Sequence, residues 1–354
     1  MALSPGGGET MKPITIVGGG LAGLTLGIGL RQRGMRVSIV EAGRYPRHRV
    51  CGEFISGQGQ AVLTRLGLGE TLRQAGVRNA STARFFSASG RELQRTLPEP
   101  AWCLSRFVLD ERLAREFRRL GGELREQERW KSPDCAKGIV RASGRRPQGL
   151  VGGWRLFALK AHARNVELGA DLEIHLVPSG YVGLCRLADG LVNVCGLFRS
   201  RVTEPELSGN WQDWLRGPAG SALHARLSPA RFLGETFCSA AGLSLGPQRA
   251  LARTECCIGD SLTMIPPVTG NGMSMAFESA ELALAPLAAY SQNEKEWMAT
   301  QHLVARRCDA AFASRLRWAG WLQRALFYPG GQAVLWFVAA NSGVFWRSLF
   351  ARTR

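Results

Sequence analysis

The chain has 354 residues, 45% hydrophobic and 21% charged, enough for two or three domains around a sizeable core, and this excludes disorder and collagen-like order. Lys plus Arg outnumber Asp plus Glu by 45 to 28, a formal net charge of +17, so the surface attracts anions: nucleotides, anionic lipid, acidic substrates or nucleic acid. Nine cysteines form no Cys-x-x-Cys pair and no secretory apolar segment precedes the first strand-like run, which points to a cytoplasmic compartment and to no metal site.

After a Gly-rich leader, residues 14–17 (Ile-Thr-Ile-Val) form a short β-branched run suited to a buried parallel strand. It leads into Gly18-Gly19-Gly20-Leu21-Ala22-Gly23, a Gly-x-Gly-x-x-Gly turn, and then an apolar helical stretch over 21–32 that Gly34 closes. Gly18 permits the tight turn, Gly20 lets the backbone approach a pyrophosphate, and Gly23 lets the helix sit close to the strand. The helix N-terminus then offers N–H groups to the phosphate charge. A second strand, 37–40, ends at Glu41, where a carboxylate meets an adenosine ribose. Strand, turn, helix, strand and acid in this order predict a dinucleotide site.

Residues 83–94 read as a hairpin turning at Ser89-Gly90. The Arg-rich run 111–125 has helical spacing and alternating charge, and reads as a solvated helix with no nucleic-acid signature beside it. Residues 154–160, 166–168, 172–176, 181–187 and 191–197 are successive strand signals that predict an antiparallel sheet. Lys160, His162 and His175 on it are expected to face solvent rather than to act as acids or bases. After Ser208 the pattern turns helical.

A second nucleotide-facing block follows: Cys257-Ile258-Gly259-Asp260-Ser261, then Ile265-Pro266-Pro267-Val268-Thr269-Gly270-Asn271-Gly272-Met273, then a long Ala-rich helix from near Ser274. A strand ending in Gly259-Asp260 puts a carboxylate against a ribityl hydroxyl. The Gly270-Asn271-Gly272 turn opens a helix whose positive end favours negative charge on a flavin. A ribityl contact selects FAD over NAD. Residues 281–324 look like two helices punctuated by Pro286 and Ser291-Gln292-Asn293. The uncharged stretch 325–346 is long enough to span a bilayer, but Tyr328-Pro329-Gly330-Gly331-Gln332 breaks it. From Phe312 onward there are six arginines, no acidic residue, and Trp318, Trp321, Trp336 and Trp346. This tail reads as helix packed on the core, with peripheral membrane contact as the alternative.

The two glycine-rich blocks together resemble the FAD-binding superfamily that contains the geranylgeranyl reductases, the flavin-dependent halogenases and the single-component aromatic monooxygenases. The resemblance implies an α/β fold: a Rossmann-like FAD-binding domain interleaved with an antiparallel β-sheet substrate domain, and a helical C-terminal tail. The FAD-binding domain is expected from 11–76, 102–144 and 253–290, the substrate domain from 77–101 and 145–252, and the C-terminal helical region from 291–354. FAD would be held by Gly18, Gly20, Leu21, Ala22, Gly23, Glu41, Arg49, Arg106, Gly259 and Asp260, with Pro267, Gly270, Asn271, Gly272 and Met273 around its redox end. Arg49-Val50-Cys51-Gly52-Glu53-Phe54-Ile55-Ser56 is similar to the Cys-Gly-Glu segment of the reductases, which runs beside the isoalloxazine. Cys51 is then a candidate active-site wall residue, and Glu53 and Tyr181 are candidate substrate-pocket residues. Ser105-Arg106 is similar to the family's arginine that contacts FAD.

Departures narrow the chemistry. Ser143 replaces the acid of the Ala-Asp-Gly motif that aromatic hydroxylases link to NAD(P)H handling, which leaves the electron donor open between NAD(P)H and a separate flavin reductase. Of the prenyl-reductase motif Tyr-x-Trp-x-Phe-Pro only Tyr181 survives, with Gly183, Cys185 and Arg186 in place of the channel-lining residues. The halogenase motif Trp-x-Trp-x-Ile-Pro is missing, which puts halogenation third. The expectation is an FAD-dependent monooxygenase that hydroxylates a largely apolar or aromatic secondary metabolite through a flavin C4a-hydroperoxide. The alternatives are a carbon–carbon double-bond reductase with Cys51 near the reacting carbon, and a non-catalytic FAD-retaining membrane-associated protein. The expected partner is a small apolar substrate, without nucleic acid.

Overall fold

The structure is a computed structural model that describes residues 11–131, 136–145, 153–201, 210–243, 246 and 248–341; Cys135 and Trp346 lie outside them. In chain order, β1 (Ile14–Val17), α1 (Leu21–Arg31) and β2 (Val37–Glu41) are followed by β3 (Phe54–Ile55), α2 (Gly57–Arg65), α3 (Gly69–Gln74), β4 (Arg78–Phe86) and β5 (Glu92–Cys103). Next come α4 (Arg106–Arg119), β6 (Glu123–Glu126), β7 (Ile139–Arg141), β8 (Trp154–Arg164), β9 (Leu172–Val177), β10 (Gly180–Arg186) and β11 (Val192–Arg201). The chain continues through α5 (Trp211–Arg216), α6 (Ala222–Leu227), β12 (Arg231–Ala241), β13 (Cys256–Cys257), α7 (Gly272–Ser291), α8 (Trp297–Phe327) and α9 (Pro329–Asn341).

Among the described residues, five strands form a parallel sheet in the order β13-β7-β1-β2-β6. Its strands are apolar because both faces are covered, and Ile14, Ile16 and Ile39 are fully buried. Helix α1 is apolar on every side and buried over 10 consecutive residues, Leu21 to Leu30, for the same reason. It is packed against α4 and α7.

The second sheet, among the described residues, has eight strands in the order β12-β8-β11-β10-β9-β4-β5-β3. Alternation along its strands divides it into two faces. Phe157, Leu159, Ala161 and Ala163 of β8 join Val192 and Val194 of β11 in a core closed by Leu215, Leu223 and Leu227 of α5 and α6. The intervening residues face the other way, where Ala158, Tyr181 and Leu197 pack with half-buried Val50, Met264 and Val268.

Several expectations require correction. The sheet is mixed, because β4 and β9 pair in parallel. Residues 166–168 form no strand: Asn165 turns the chain at φ +58°, and the Glu167 carbonyl accepts a hydrogen bond from Arg226 instead of a ladder donor. The region after Ser208 is only briefly helical, since residues 231–241 form the edge strand β12, whose period-2 pattern is interrupted by a register shift between Leu233 and Cys238. Pro286 does not punctuate: α7 runs through it, and buried packing against α1, α2 and α8 outweighs the lost N–H. The helical break in the tail falls at Tyr328 alone, and α9 restarts at Pro329.

Candidate functional site

The glycine turn between β1 and α1 is shaped by what it excludes. Gly18 sits at φ +110°, and a Cβ there would overlap the Ala142 carbonyl at the end of β7. A Cβ on Gly23 would overlap the Gly18 carbonyl, whereas one on Gly20 would meet nothing within 4 Å. The first and third glycines are fixed by packing, and the middle one faces open space. Helix α1 has no side-chain cap, so its first N–H groups are available to an anion. Leu21 and Ala22 are buried beneath this turn.

Glu41 accepts hydrogen bonds from the Gly19 N–H (2.8 Å) and the Gly43 N–H (2.7 Å) and pairs with Arg47 at 2.7 Å. Burial pushes its carboxyl up, but Arg47 and the two backbone donors outweigh this and hold it at about 2. The Tyr45 hydroxyl donates to the Gly19 carbonyl and closes the turn from the side. Nothing local in the sequence marks Arg47, yet its Nε and Nη2 are buried with no hydrogen-bond partner among the described residues. Arg49 is depressed by burial and then by Arg47 and Arg106, so three guanidinium groups share one neighbourhood. Such a cluster matches a polyanion.

Gly259 packs on Ala22, which delivers Asp260 beside the first turn of α1. Asp260 is exposed, yet burial raises its carboxyl against the pull of Arg106 and Arg145. Both facts suit a group on the wall of a concave groove. Gly270, at φ +63°, leaves room for the Phe54 ring, and Ser56 Oγ lies 3.2 Å from Asn271 Oδ1 and 3.0 Å from Ser274 Oγ. The segment 51–56 and the turn of Pro267, Gly270, Asn271, Gly272 and Met273 are thereby brought face to face, although more than 200 residues separate them in sequence.

Arg106 opens α4 behind the N-cap Ser105, and its guanidinium is bidentate to buried Asp110 at 2.7 and 2.8 Å. Cys51 is half-buried; its sulfur accepts from the Glu53 N–H at 3.4 Å, and burial pushes the thiol up, so it is neutral at physiological pH. Glu53 is fully buried with a left-handed backbone at φ +59°, a conformation rare for a residue with a Cβ. Its Oε1 accepts from the Arg106 N–H at 2.9 Å and lies 3.3 Å from Lys160 Nζ, and its Oε2 lies 2.7 Å from His162 Nε2. Burial pushes this carboxyl up, but His162, Lys160 and the Arg106 N–H hold it below the ordinary range. Lys160 Nζ also lies 3.3 Å from His48 Nδ1. Burial, then the Lys160 charge, depresses His48 to about 4, so its ring is neutral.

Lys160, His162 and His175 therefore do not face solvent: they are 0%, 2% and 1% exposed. Lys160 and His162 occupy the even positions of β8, which point toward the nucleotide-binding half, and a buried carboxylate supplied by the Cys51–Glu53 segment compensates them. His175 lies on the opposite face, bonded to Glu173 Oε2 at 3.0 Å and stacked flat on Phe86. The strand pattern could not show this, because polar residues at period 2 read as solvated unless their partner is known. Tyr181 is buried on the same face as Lys160, and its hydroxyl has no partner among the described residues. Ser143 is exposed just beyond β7.

A free helix N-terminus, an open middle glycine, arginine donors without a partner among the described residues and a groove-wall aspartate together fit FAD, and they define the chain as a flavoprotein. Comparison with known proteins agrees. Residues 11–146 match the family described as FAD binding domain. A segment of 130 residues, 33% of the chain and 26% of the relative, is 27% identical to conditioned medium factor receptor 1 of Dictyostelium discoideum. Another of 95 residues, 26% of the chain and 22% of the relative, is 38% identical to 6-methylpretetramide 4-monooxygenase of Streptomyces rimosus. The chain thus matches about a quarter of the length of these curated relatives. Over nearly its whole length it shares a fold with the flavin-dependent brominase Bmp2 (TM-score 0.74, 18% identity, 96% of this chain and 92% of that one). It shares the same fold with a geranylgeranyl bacteriochlorophyll reductase-like protein of Thermoplasma acidophilum (TM-score 0.74, 17% identity, 94% and 92%). The α/β architecture, with its parallel FAD-binding sheet, second sheet and helical C-terminus, is that of these proteins.

Proposed function

We propose that this FAD-dependent oxidoreductase is a monooxygenase that hydroxylates an apolar or aromatic small molecule. Bound and reduced FAD supplies the electrons that activate dioxygen. The observation that carries the reading is the apolar patch built from Ala158, Tyr181 and Leu197 of the second sheet and Met264 and Val268 beside the Pro267 turn. It places an apolar surface against the segment expected at the redox end of FAD, where exclusion of water protects oxygen transfer. The segment similar to 6-methylpretetramide 4-monooxygenase supports the same reaction class. In this reading Gly18, Gly20 and Gly23 admit the pyrophosphate, Arg47 and Arg106 offset its charge, and Asp260 holds the ribityl chain.

Stopped-flow mixing of the anaerobically reduced holoprotein with oxygen tests the proposal. A transient absorbance distinct from both reduced and oxidised flavin is the expected result, and smooth reoxidation accelerated by an alkene acceptor overturns it. That second outcome is the signature of the reductase reading, which the neutral Cys51 thiol favours as a proton donor beside the site.

The proposal extends to peripheral contact with anionic membrane. The exposed face of α8 presents Arg317, Trp321 and Arg324 at helical spacing, Tyr328 is exposed just after it, and Val334 and Phe337 are exposed on α9. Among the described residues no helix is long and apolar enough to cross a membrane. The holoprotein is expected to pellet with phosphatidylglycerol vesicles at low salt and to lose this with Trp321→Glu; no pelleting overturns the contact.

A further inference from the structure

We infer that Lys160 is the anion contact of the substrate site, held ready by Glu53, His162 and His48, and that Gly183 provides the space in front of it. The ligand is then an apolar molecule bearing one acidic oxygen group, a carboxylate or an ionised hydroxyl. This rests on the reading of the second sheet as the substrate side.

Strand register places the groups. Lys160 pairs with Cys195 on β11, and Cys195 with Gly183 on β10, so the three form a row across the face that looks toward the nucleotide-binding half. Ala158, Leu197 and Tyr181 form the adjacent row. In this apolar setting Cys195 and Gly183 are the partly exposed positions, and a Cβ added to Gly183 would meet only the Cys195 carbonyl oxygen, at 3.8 Å. The floor is therefore open at Gly183, two strands from Lys160 and about 10 Å away at the usual strand spacing, a gap that an extended ligand bridges.

The cost of Lys160 argues for use. A charge removed from water costs several kcal/mol even when paired, and an apolar residue like its row neighbours would be cheaper. An ammonium carries three donors, and among the described residues its two acceptors are Glu53 Oε1 and His48 Nδ1. Cys195 and Cys238, which flank it across the strands, are thiols pushed up by burial and do not neutralise it. Glu53 is in turn fixed by the His162 ring and the Arg106 N–H, which orients the ammonium without consuming it. Tyr181, whose hydroxyl has no partner among the described residues, lies where the apolar body of such a ligand would extend.

The test is equilibrium dialysis of the holoprotein, at pH 9, against 2-naphthoate, ionised 6-cyano-2-naphthol and uncharged 2-methylnaphthalene, with the visible flavin spectrum confirming that each variant is folded and loaded. Wild type is expected to bind at least one oxyanion about tenfold or more tighter than the hydrocarbon, a typical gain for a charge-assisted hydrogen bond; which one it prefers separates carboxylate from ionised hydroxyl. Lys160→Met should erase the preference, Glu53→Gln should enlarge it by removing the competing carboxylate, and Gly183→Leu, which the backbone accommodates, should weaken all three probes. A purely structural role would move Lys160→Met and Glu53→Gln in the same direction. No preference in wild type, or a preference that survives Lys160→Met, overturns the inference. Dialysis needs no turnover, so absence of the oxygen transient would sink the monooxygenase reading and leave this result standing.

Discussion

The two sheets build their halves of the site from opposite materials. Around the parallel sheet the work is done by backbone: glycines without side chains, a bare helix N-terminus, and turns at Gly259 and Gly270 that admit Ala22 and Phe54. On the second sheet it is done by side chains that meet across strands, with Glu53, Lys160 and His162 all essentially unexposed. The first half should therefore fail when atoms are added, and the second when they are removed.

Gly23→Val gives the largest expected effect. Its branched side chain would drive into the Gly18 carbonyl, so destabilisation should exceed about 4 kcal/mol with loss of yellow colour, read by denaturant unfolding and the flavin spectrum. An unaltered spectrum would show that the turn relaxes and that the contrast between the halves is overstated. Glu53→Ala comes next. It leaves the Lys160 charge buried without its carboxylate and should cost about 3–5 kcal/mol, measured the same way. A loss near zero would mean that water replaces the carboxylate and that the ion pair adds little to stability.

The smaller effect concerns acid, and sharpens the comparison because both halves hold a depressed carboxylate. Glu41 falls from an ordinary 4.5 to about 2 in the folded chain. A carboxyl depressed on folding stabilises fully above its unfolded pKa, and that contribution drains away as pH falls from about 4.5 toward 2, about 3 kcal/mol in all. Urea unfolding from pH 6 to pH 3 should show this slope, and Glu41→Gln should flatten it. An unchanged slope would assign acid sensitivity to Glu53 and the second sheet instead.

How much was legible in the sequence follows the same division. Gly18 to Gly23, Glu41 and the 257–273 block are contiguous, and each performs a local task that a motif can state. The hairpin turn at Ser89-Gly90 was legible for the same reason, since a turn is settled by its own residues; the Ser87 N–H closes it on the Arg91 carbonyl at 2.8 Å. Strand β12 was not, because a register shift spoils its alternation. The burial of Lys160, His162 and His175 was not legible either, since a strand pattern records which residues share a face and is silent on what covers it.

The sequence by itself determined the dinucleotide unit, the order of strands and helices along most of the chain, and the surplus of positive charge. Those rest on backbone geometry, local periodicity and composition, which act over a few residues. Tertiary structure alone decided that Cys51 and Glu53 meet Arg106 and β8, that Arg47 joins Arg49 and Arg106, and that Gly183 leaves open floor two strands from a buried lysine. A buried charge is tolerated only where a partner arrives from elsewhere in the chain, and which partner arrives is fixed by packing and strand register.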